Sequence, residues 1–269
     1  MISAQSVWED LVKIRERSPL VHNITNFVVM NNTANALLAI GASPVMAHAG
    51  EEVEEIAGAC GALVVNIGTL NPQWVGAMEK AMLKAREGGV PIVLDPVGAG
   101  ATSYRLDTVR GLLAAAVPQI IRGNASEISA LVSAGTTMKG VDSSLSSDSA
   151  CGAAKTLSAM HGCVVSLSGE TDYIVQGGRL ECVRNGHPLM PRVTGLGCTA
   201  SALSAAFAAV NGEAFAAAAH AMAVMGIAGE IAAREAKGPG SFQVHFLDAL
   251  YRLREEDIGS LLRAGREAA

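Results

Sequence analysis

Ala62-Leu63-Val64-Val65-Asn66-Ile67-Gly68, followed by Pro91-Ile92-Val93-Leu94-Asp95, is the stretch of sequence that decides the fold. Each piece is a short unbroken apolar run, which reads as a strand buried on both faces. Asn71-Pro72 supplies a helix cap and a first helical residue between them, and Gly88-Gly89 closes that helix. Strand, helix and strand joined by short connections imply a mainly parallel sheet with helices on its faces. In such sheets ligands bind beyond the carboxyl ends of the strands. Asn66, Gly68 and Asp95 lie at that edge. A carboxylate there suits Mg2+ or a water network, and an Asp before Pro also suits a plain turn.

Working toward the N-terminus, residues 3–17 place Val7, Leu11 and Ile14 at helical spacing, and Ser18-Pro19 stops the helix. Leu20 to Asn26 is extended. The short amides of Asn23 and Asn26 can bond a neutral polar ligand. They can equally cap a helix that begins near Phe27 and runs to Gly41. Pro44-Val45-Met46 is again extended, with Met46 either packing or forming a ligand wall. Glu51, Glu52, Glu54 and Glu55 suit the dipole of a following helix and read as solvated.

Toward the C-terminus, a helix over 103–115 precedes a short strand, Gln119-Ile120-Ile121. Arg122 at that strand's end can pair with phosphate oxygens. Asn124 and Glu127 have capping-box spacing, which by itself explains both. Residues 136–148 are polar with Gly and Ser and read as a surface loop. A helix to His161, a strand over 163–169 and a hairpin turning at Gly177-Gly178 follow, so parallel units give way to an antiparallel edge. Helices then run to the end. With no repeat or linker, residues 1–269 read as one domain.

The second decisive stretch is Val193-Thr194-Gly195-Leu196-Gly197-Cys198-Thr199-Ala200-Ser201-Ala202. Glycines lead into an Ala/Ser/Leu helix whose first N–H groups are unpaired and carry partial positive charge, which suits a phosphate. The same field is expected to lower the pKa of the Cys198 thiol. Gly195-x-Gly197-x-x-Ala200 also fits the dinucleotide fingerprint, but Asn211-Gly212 opens a second helix where that motif needs a strand. A structural glycine turn with a buried cysteine is the remaining reading.

Composition narrows the classes. Half of the 269 residues are apolar and 17% are charged, so a large core forms and disorder is not expected. Net charge is −5 without a Lys/Arg cluster, which leaves nucleic acid and anionic membrane without electrostatic support. The five cysteines (60, 151, 163, 182 and 198) form no C-x-x-C pair, so neither zinc nor a disulfide framework is indicated and a reducing cytoplasm fits. Met1 to Arg17 lacks an apolar signal core, and Ala214 to Gly229 reads as a core helix rather than a membrane span. No G-x-x-x-x-G-K-[ST] loop is present, which excludes the P-loop mode of nucleotide binding but not kinase activity.

Taken together, Leu20-Val21-His22-Asn23-Ile24-Thr25-Asn26, Asp95-Pro96-Val97-Gly98, Arg122-Gly123-Asn124-Ala125-Ser126-Glu127 and Val193 to Cys198 resemble the hydroxyethylthiazole kinases, thiamin-salvage enzymes of the ribokinase-like group. The resemblance spans roughly residues 15–235. It implies a three-layer αβα ribokinase-like fold that transfers the γ-phosphate of ATP to the primary alcohol of 4-methyl-5-(2-hydroxyethyl)thiazole. It also implies a homotrimer with active sites at subunit boundaries. It places the anion hole at Gly195–Cys198, including Gly197, with Cys198 where most ribokinase-like relatives carry an aspartate base. Substrate contacts carry over to Asn26, Met46 and Gly195, nucleotide contacts to Arg122 and Ser168, and the Mg2+ and phosphate network to Asp95 and Glu127. Ser168 stands where threonine is more usual, and keeps the hydroxyl. Leu196 departs from the small or hydroxylated residue often found between those glycines. The neutral aromatic substrate suits a pocket with Met46, Ile24 and Asn26 and no charge pair. Hydroxymethylpyrimidine or pyridoxal kinases and the ADP-dependent NAD(P)H-hydrate dehydratases share the fold, and are expected to carry an acid at the Cys198 position.

Overall fold

The computed structural model describes residues 2–133 and 147–265. The polar loop expected over 136–148 lies outside the described residues up to 146, and its last two residues open a helix. In chain order the elements are α1 (Ala4–Arg17), β1 (Leu20–Ile24), α2 (Met30–Ile40), β2 (Ser43–Val45), α3 (Val53–Ala59), β3 (Ala62–Asn66), α4 (Pro72–Glu87), β4 (Ile92–Asp95), α5 (Ser103–Ala115) and β5 (Ile120–Asn124). There follow α6 (Ala125–Val132), α7 (Ser147–His161), β6 (Val164–Ser168), β7 (Asp172–Gln176), β8 (Arg179–Val183), α8 (Leu196–Val210), α9 (Ala214–Glu235), α10 (Pro239–Arg252), α11 (Glu255–Leu261) and β9 (Ala264–Gly265).

The strands form one sheet in the order β2-β1-β3-β4-β5-β6-β7-β8-β9. Pairing is parallel from β2 through β6 and antiparallel from β6 to β9. Successive strand residues face opposite sides. Val64, Val93, Ile120 and Val164 join a core shared with α1, α2, α8, α9 and α10. Leu63, Val65, Ile92, Leu94, Ile121 and Val165 join the opposite core under α3 to α7. A continuous apolar run is what such a doubly covered strand requires, and all five residues of β3 are buried.

α9 is long and apolar enough to cross a membrane by composition, yet 78% of its most apolar window is buried inside the fold. It packs against α8 and α10 as a core helix.

Three boundaries differ from the sequence reading. α2 begins at Met30 rather than near Phe27, because residues 27–29 form a turn in which the Asn26 carboxamide accepts from Val28 N (3.1 Å). Asn26 therefore does not cap the helix. β5 extends to Asn124, so Arg122 lies inside a strand rather than past its end. The chain's last described element is a strand: β9 pairs with β8 through Val183–Ala264 and Cys182–Gly265.

Candidate active site

The carboxyl ends of β1, β3, β4, β5 and β6 and the first turn of α8 meet on one edge of the sheet. Gly195 caps α8 with φ 85°, a left-handed conformation that favours glycine, and a Cβ there would lie 2.8 Å from Val29 Cγ1. At Gly197 a Cβ would sit 2.9 Å from Arg122 Nη1, so the missing side chain lets the guanidinium lie against the opening turn of the helix. Arg122 Nη2 donates to Ser168 Oγ (2.7 Å), and Ser168 Oγ donates to Gly123 O (3.3 Å). The buried Arg122 Nε–H finds no acceptor among the described residues. A buried cation beside free helix amides favours an anionic ligand.

Behind this turn runs a buried chain of polar groups. Asn26 Nδ2 donates to Asn66 Oδ1 (2.8 Å) and contacts Cys198 Sγ (3.5 Å). Asn66 Nδ2 and Ser201 Oγ both donate to Asp95 Oδ2 (2.8 and 2.7 Å). Burial pushes the Asp95 carboxyl up to about 6, against the pull of the Arg122 charge. The Cys198 thiol is pushed up to about 12, first by burial and then by the Asp95 carboxylate. This reverses the sequence expectation, in which the helix field lowered it, and Cys198 is a protonated thiol at neutral pH.

Glu127 completes the capping box expected of it. Its Oε2 accepts from Asn124 N (2.9 Å) while Asn124 Oδ1 accepts from Glu127 N (3.0 Å). Its Oε1 also accepts from Gly98 N (2.9 Å), which ties the loop after Asp95 to α6. No group of three or more His, Cys, Asp or Glu side chains clusters as a metal cage among the described residues. The two carboxylates of Asp95 and Glu127 are nevertheless a fitting donor set for Mg2+, which takes one or two carboxylates and completes its shell with water and phosphate oxygens.

A cavity of about 1180 Å³ opens on this edge. Arg122, Ser168, Gly195 and Gly197 line it, so the structure brings the expected phosphate contacts together. Its lining carries Arg122, Arg184, Arg192 and Arg263 against Glu170 and Asp172. That excess of positive charge suits a polyanion. Asn26, Cys198 and Asp95 form the network behind the cavity rather than its lining. Half-buried Met46 stands just past β2, away from the cavity. Ile24 belongs to the sealed core, so it is not a pocket residue as the sequence suggested.

Sequence reasoning missed Ser201 and Asp172. Ser201 lies on α8 three residues after Cys198, and that spacing on one helix face was a usable signal. Asp172 opens β7, accepts from Gly169 N (3.0 Å) and is pushed up to about 7 by burial. Nothing in its sequence neighbourhood announces that.

The sheet order, the antiparallel edge and the glycine turn over the cleft define a ribokinase-like α/β protein. The fold is shared with a ribokinase-like superfamily protein from Enterococcus faecalis V583, 12% identical, with a TM-score of 0.62 over 93% of this chain and 94% of that one. Within that class the chain belongs to the hydroxyethylthiazole kinase family, whose sequence model matches residues 11–256. A hydroxyethylthiazole kinase from Syntrophus aciditrophicus is 61% identical over 263 residues, covering 97% of each chain. The structure of a hydroxyethylthiazole kinase protein from Pyrococcus horikoshii OT3 has 46% identity and a TM-score of 0.90, over 97% of this chain and 98% of that one.

Proposed function

We propose that this chain transfers the γ-phosphate of ATP to the primary alcohol of 4-methyl-5-(2-hydroxyethyl)thiazole, as a single domain over residues 1–269. The observation that carries the reading is the juxtaposition of Arg122, Ser168 and the α8 amides on one cavity, with Asn26 and Cys198 immediately behind the same turn. Phosphoryl transfer is achieved by positioning and charge neutralisation more than by covalent chemistry. Arg122 and the amides from Gly195 to Cys198 hold the phosphate chain. Gly195 and Asn26 position the alcohol, and Met46, which does not line this chain's cavity, is assigned to the same substrate at a subunit boundary.

Asp95 and Glu127 would hold Mg2+, which would supply positive charge to offset that of the phosphates. Cys198 acts as a modest base or an orienter of the hydroxyl. Its protonated state supports the orienting role, because a thiol held near 12 has no basic site to offer before bond making begins. A late deprotonation suits a dissociative transition state, in which the alcohol need not be stripped in advance.

We further assign a homotrimer with sites at subunit boundaries and a cytoplasmic location. Phe27 and Val28 support the first: both are exposed, large and apolar, and they adjoin Asn26. The deciding experiment measures ATP consumption with the thiazole alcohol, pyridoxal and hydroxymethylpyrimidine in parallel. The expected result is turnover with the thiazole alcohol well above the other two. Preference for either rival, or no metal-dependent ATP consumption with any of them, sinks the proposal.

A further inference from the structure

The cavity is larger than a phosphate chain needs, and the strand order says in which direction it extends. Its anion end lies over β5 and β6, and its far end is reached at Asn185, just past β8, and Arg263, just before β9. Neighbouring strands are about 4.8 Å apart, so crossing from β6 to β9 covers roughly 14 Å, enough to seat a nucleoside beyond its phosphates.

That far wall is held by one set of bonds. The chain at 185–190 lies directly on α9, in a groove opened by two glycines. A Cβ on Gly226 would be 2.5 Å from Asn185 O, and one on Gly229 would be 2.5 Å from Met190 Sδ. Glu230, on the same helix, fastens the segment: its Oε1 accepts from Gly186 N (2.9 Å) and from Asn185 Nδ2 (2.9 Å). Arg263 then grips Glu230 with both Nη atoms (2.7 and 3.1 Å) and donates to Arg184 O (2.9 Å). Asn185 closes the circuit by donating to Leu261 O (2.7 Å) and accepting from Arg263 N (2.8 Å). A two-point guanidinium–carboxylate pair fixes orientation as well as distance. The lobe so framed is faced by Met190, Met222 and Met225, and thioethers conform well to a flat ring.

We infer that Asn185, Glu230 and Arg263 form a lock that shapes the seat of the nucleoside part of the nucleotide, making the C-terminal segment at Arg263 a positioning element of the nucleotide site. The inference rests on the proposed ATP-dependent reaction. Arg263 does not touch the reacting atoms and acts through the wall it holds. No sequence motif announces it, and it lies past residue 256, where the family match ends.

The test uses the full chain carrying Arg263→Ala, with Glu230→Gln as a milder variant that keeps an acceptor for Gly186 N and Asn185 Nδ2. Steady-state kinetics with ATP and the thiazole alcohol is paired with direct binding of ADP. For Arg263→Ala the expected result is a KM for ATP and a Kd for ADP raised about tenfold, with kcat and the KM for the alcohol within about twofold of the parent. Glu230→Gln should fall between the two. Unchanged KM and Kd in Arg263→Ala overturn the lock, as does a parallel rise in both KM values, which is the signature of general loosening. Failure of the parent protein to bind ADP at all removes the nucleotide reading itself, and the lock with it.

Discussion

At Cys198 two effects of opposite sign act on one thiol. A helix N-terminus favours an anion by about 0.3–1 kcal/mol, which is less than one pKa unit. Burial and the Asp95 carboxylate act the other way and carry the group from 9.0 to about 12. The second pair wins by a wide margin, and the sequence could not show it, because Asp95 arrives from a different element through the fold. Cys198→Asp is therefore expected to preserve or raise kcat, since it places a carboxylate, the acid that the family resemblance implies for this position, beside the hydroxyl. Collapse of turnover with intact nucleotide binding would contradict that. Asp95 gives the complementary case. Its folded pKa of about 6 lies above the ordinary aspartate value of 3.8, so the fold favours the protonated acid. The penalty for holding it ionised is present above about pH 6 and fades as pH falls toward 3.8. Asp95→Asn is accordingly expected to leave the melting temperature at pH 7 unchanged or higher, while kcat falls about a hundredfold. A large loss of melting temperature, or full activity, would reject this account of Asp95.

At the scale of elements, periodicity was a reliable guide where one face of a helix meets one core. Val7, Leu11 and Ile14 placed α1, and all three are buried. What periodicity does not reveal is the polar clamp that fixes α1 to its neighbours. Asp10 accepts from Lys13 Nζ (2.8 Å), from Asn211 Nδ2 just past α8 (2.5 Å) and from His220 Nδ1 on α9 (2.7 Å). Burial alone would raise this carboxyl, but the bonds from His220, Lys13 and Asn211 outweigh it and hold it down to about 2. The linkage sign is thus opposite to that of Asp95. The clamp's contribution is fully present above the ordinary aspartate value of 3.8 and is lost as pH falls through about 2. Removing one partner of a buried ionic cluster costs about 3 kcal/mol, so Asp10→Asn is expected to lower neutral-pH stability by that order. Denaturant melts at pH 7 and at pH 3 should show the gap narrowing at the lower pH. An equal gap at both would mean that Asp10 acts through packing alone.

At the scale of the whole molecule, the parallel half of the sheet was legible because strands covered on both faces are apolar along their length, as β3 and β4 are up to the polar residues Asn66 and Asp95 that end them. β9 was not legible: two residues, Ala264 and Gly265, carry no pattern, and only the edge of β8 gives them a structure. The site followed the same division. Gly195, Gly197 and Arg122 could be read as local chemistry and Ser168 only through the family resemblance, whereas the link from Asn26 through Asn66 to Asp95 exists only once three strands lie side by side. One feature of the surface is unexplained by a single chain. Phe27 is 66% exposed and Val28 61%, although Phe27 packs at a tilt against Trp74, with ring centroids 4.6 Å apart, and both adjoin the residue that contacts Cys198. Large apolar side chains left open beside a site are a characteristic of surfaces covered by a partner, and aromatic residues dominate the energy of such contacts. A second copy of this chain is the covering expected from the trimer proposal. Phe27→Glu should then convert a trimer to monomers in sedimentation and raise the KM for the thiazole alcohol about tenfold, with ADP affinity retained because neither Phe27 nor Val28 lines the cavity proposed for the nucleotide. A variant that stays trimeric with an unchanged KM would place the subunit boundary elsewhere on the molecule, and would leave Phe27 as a surface residue held only by Trp74.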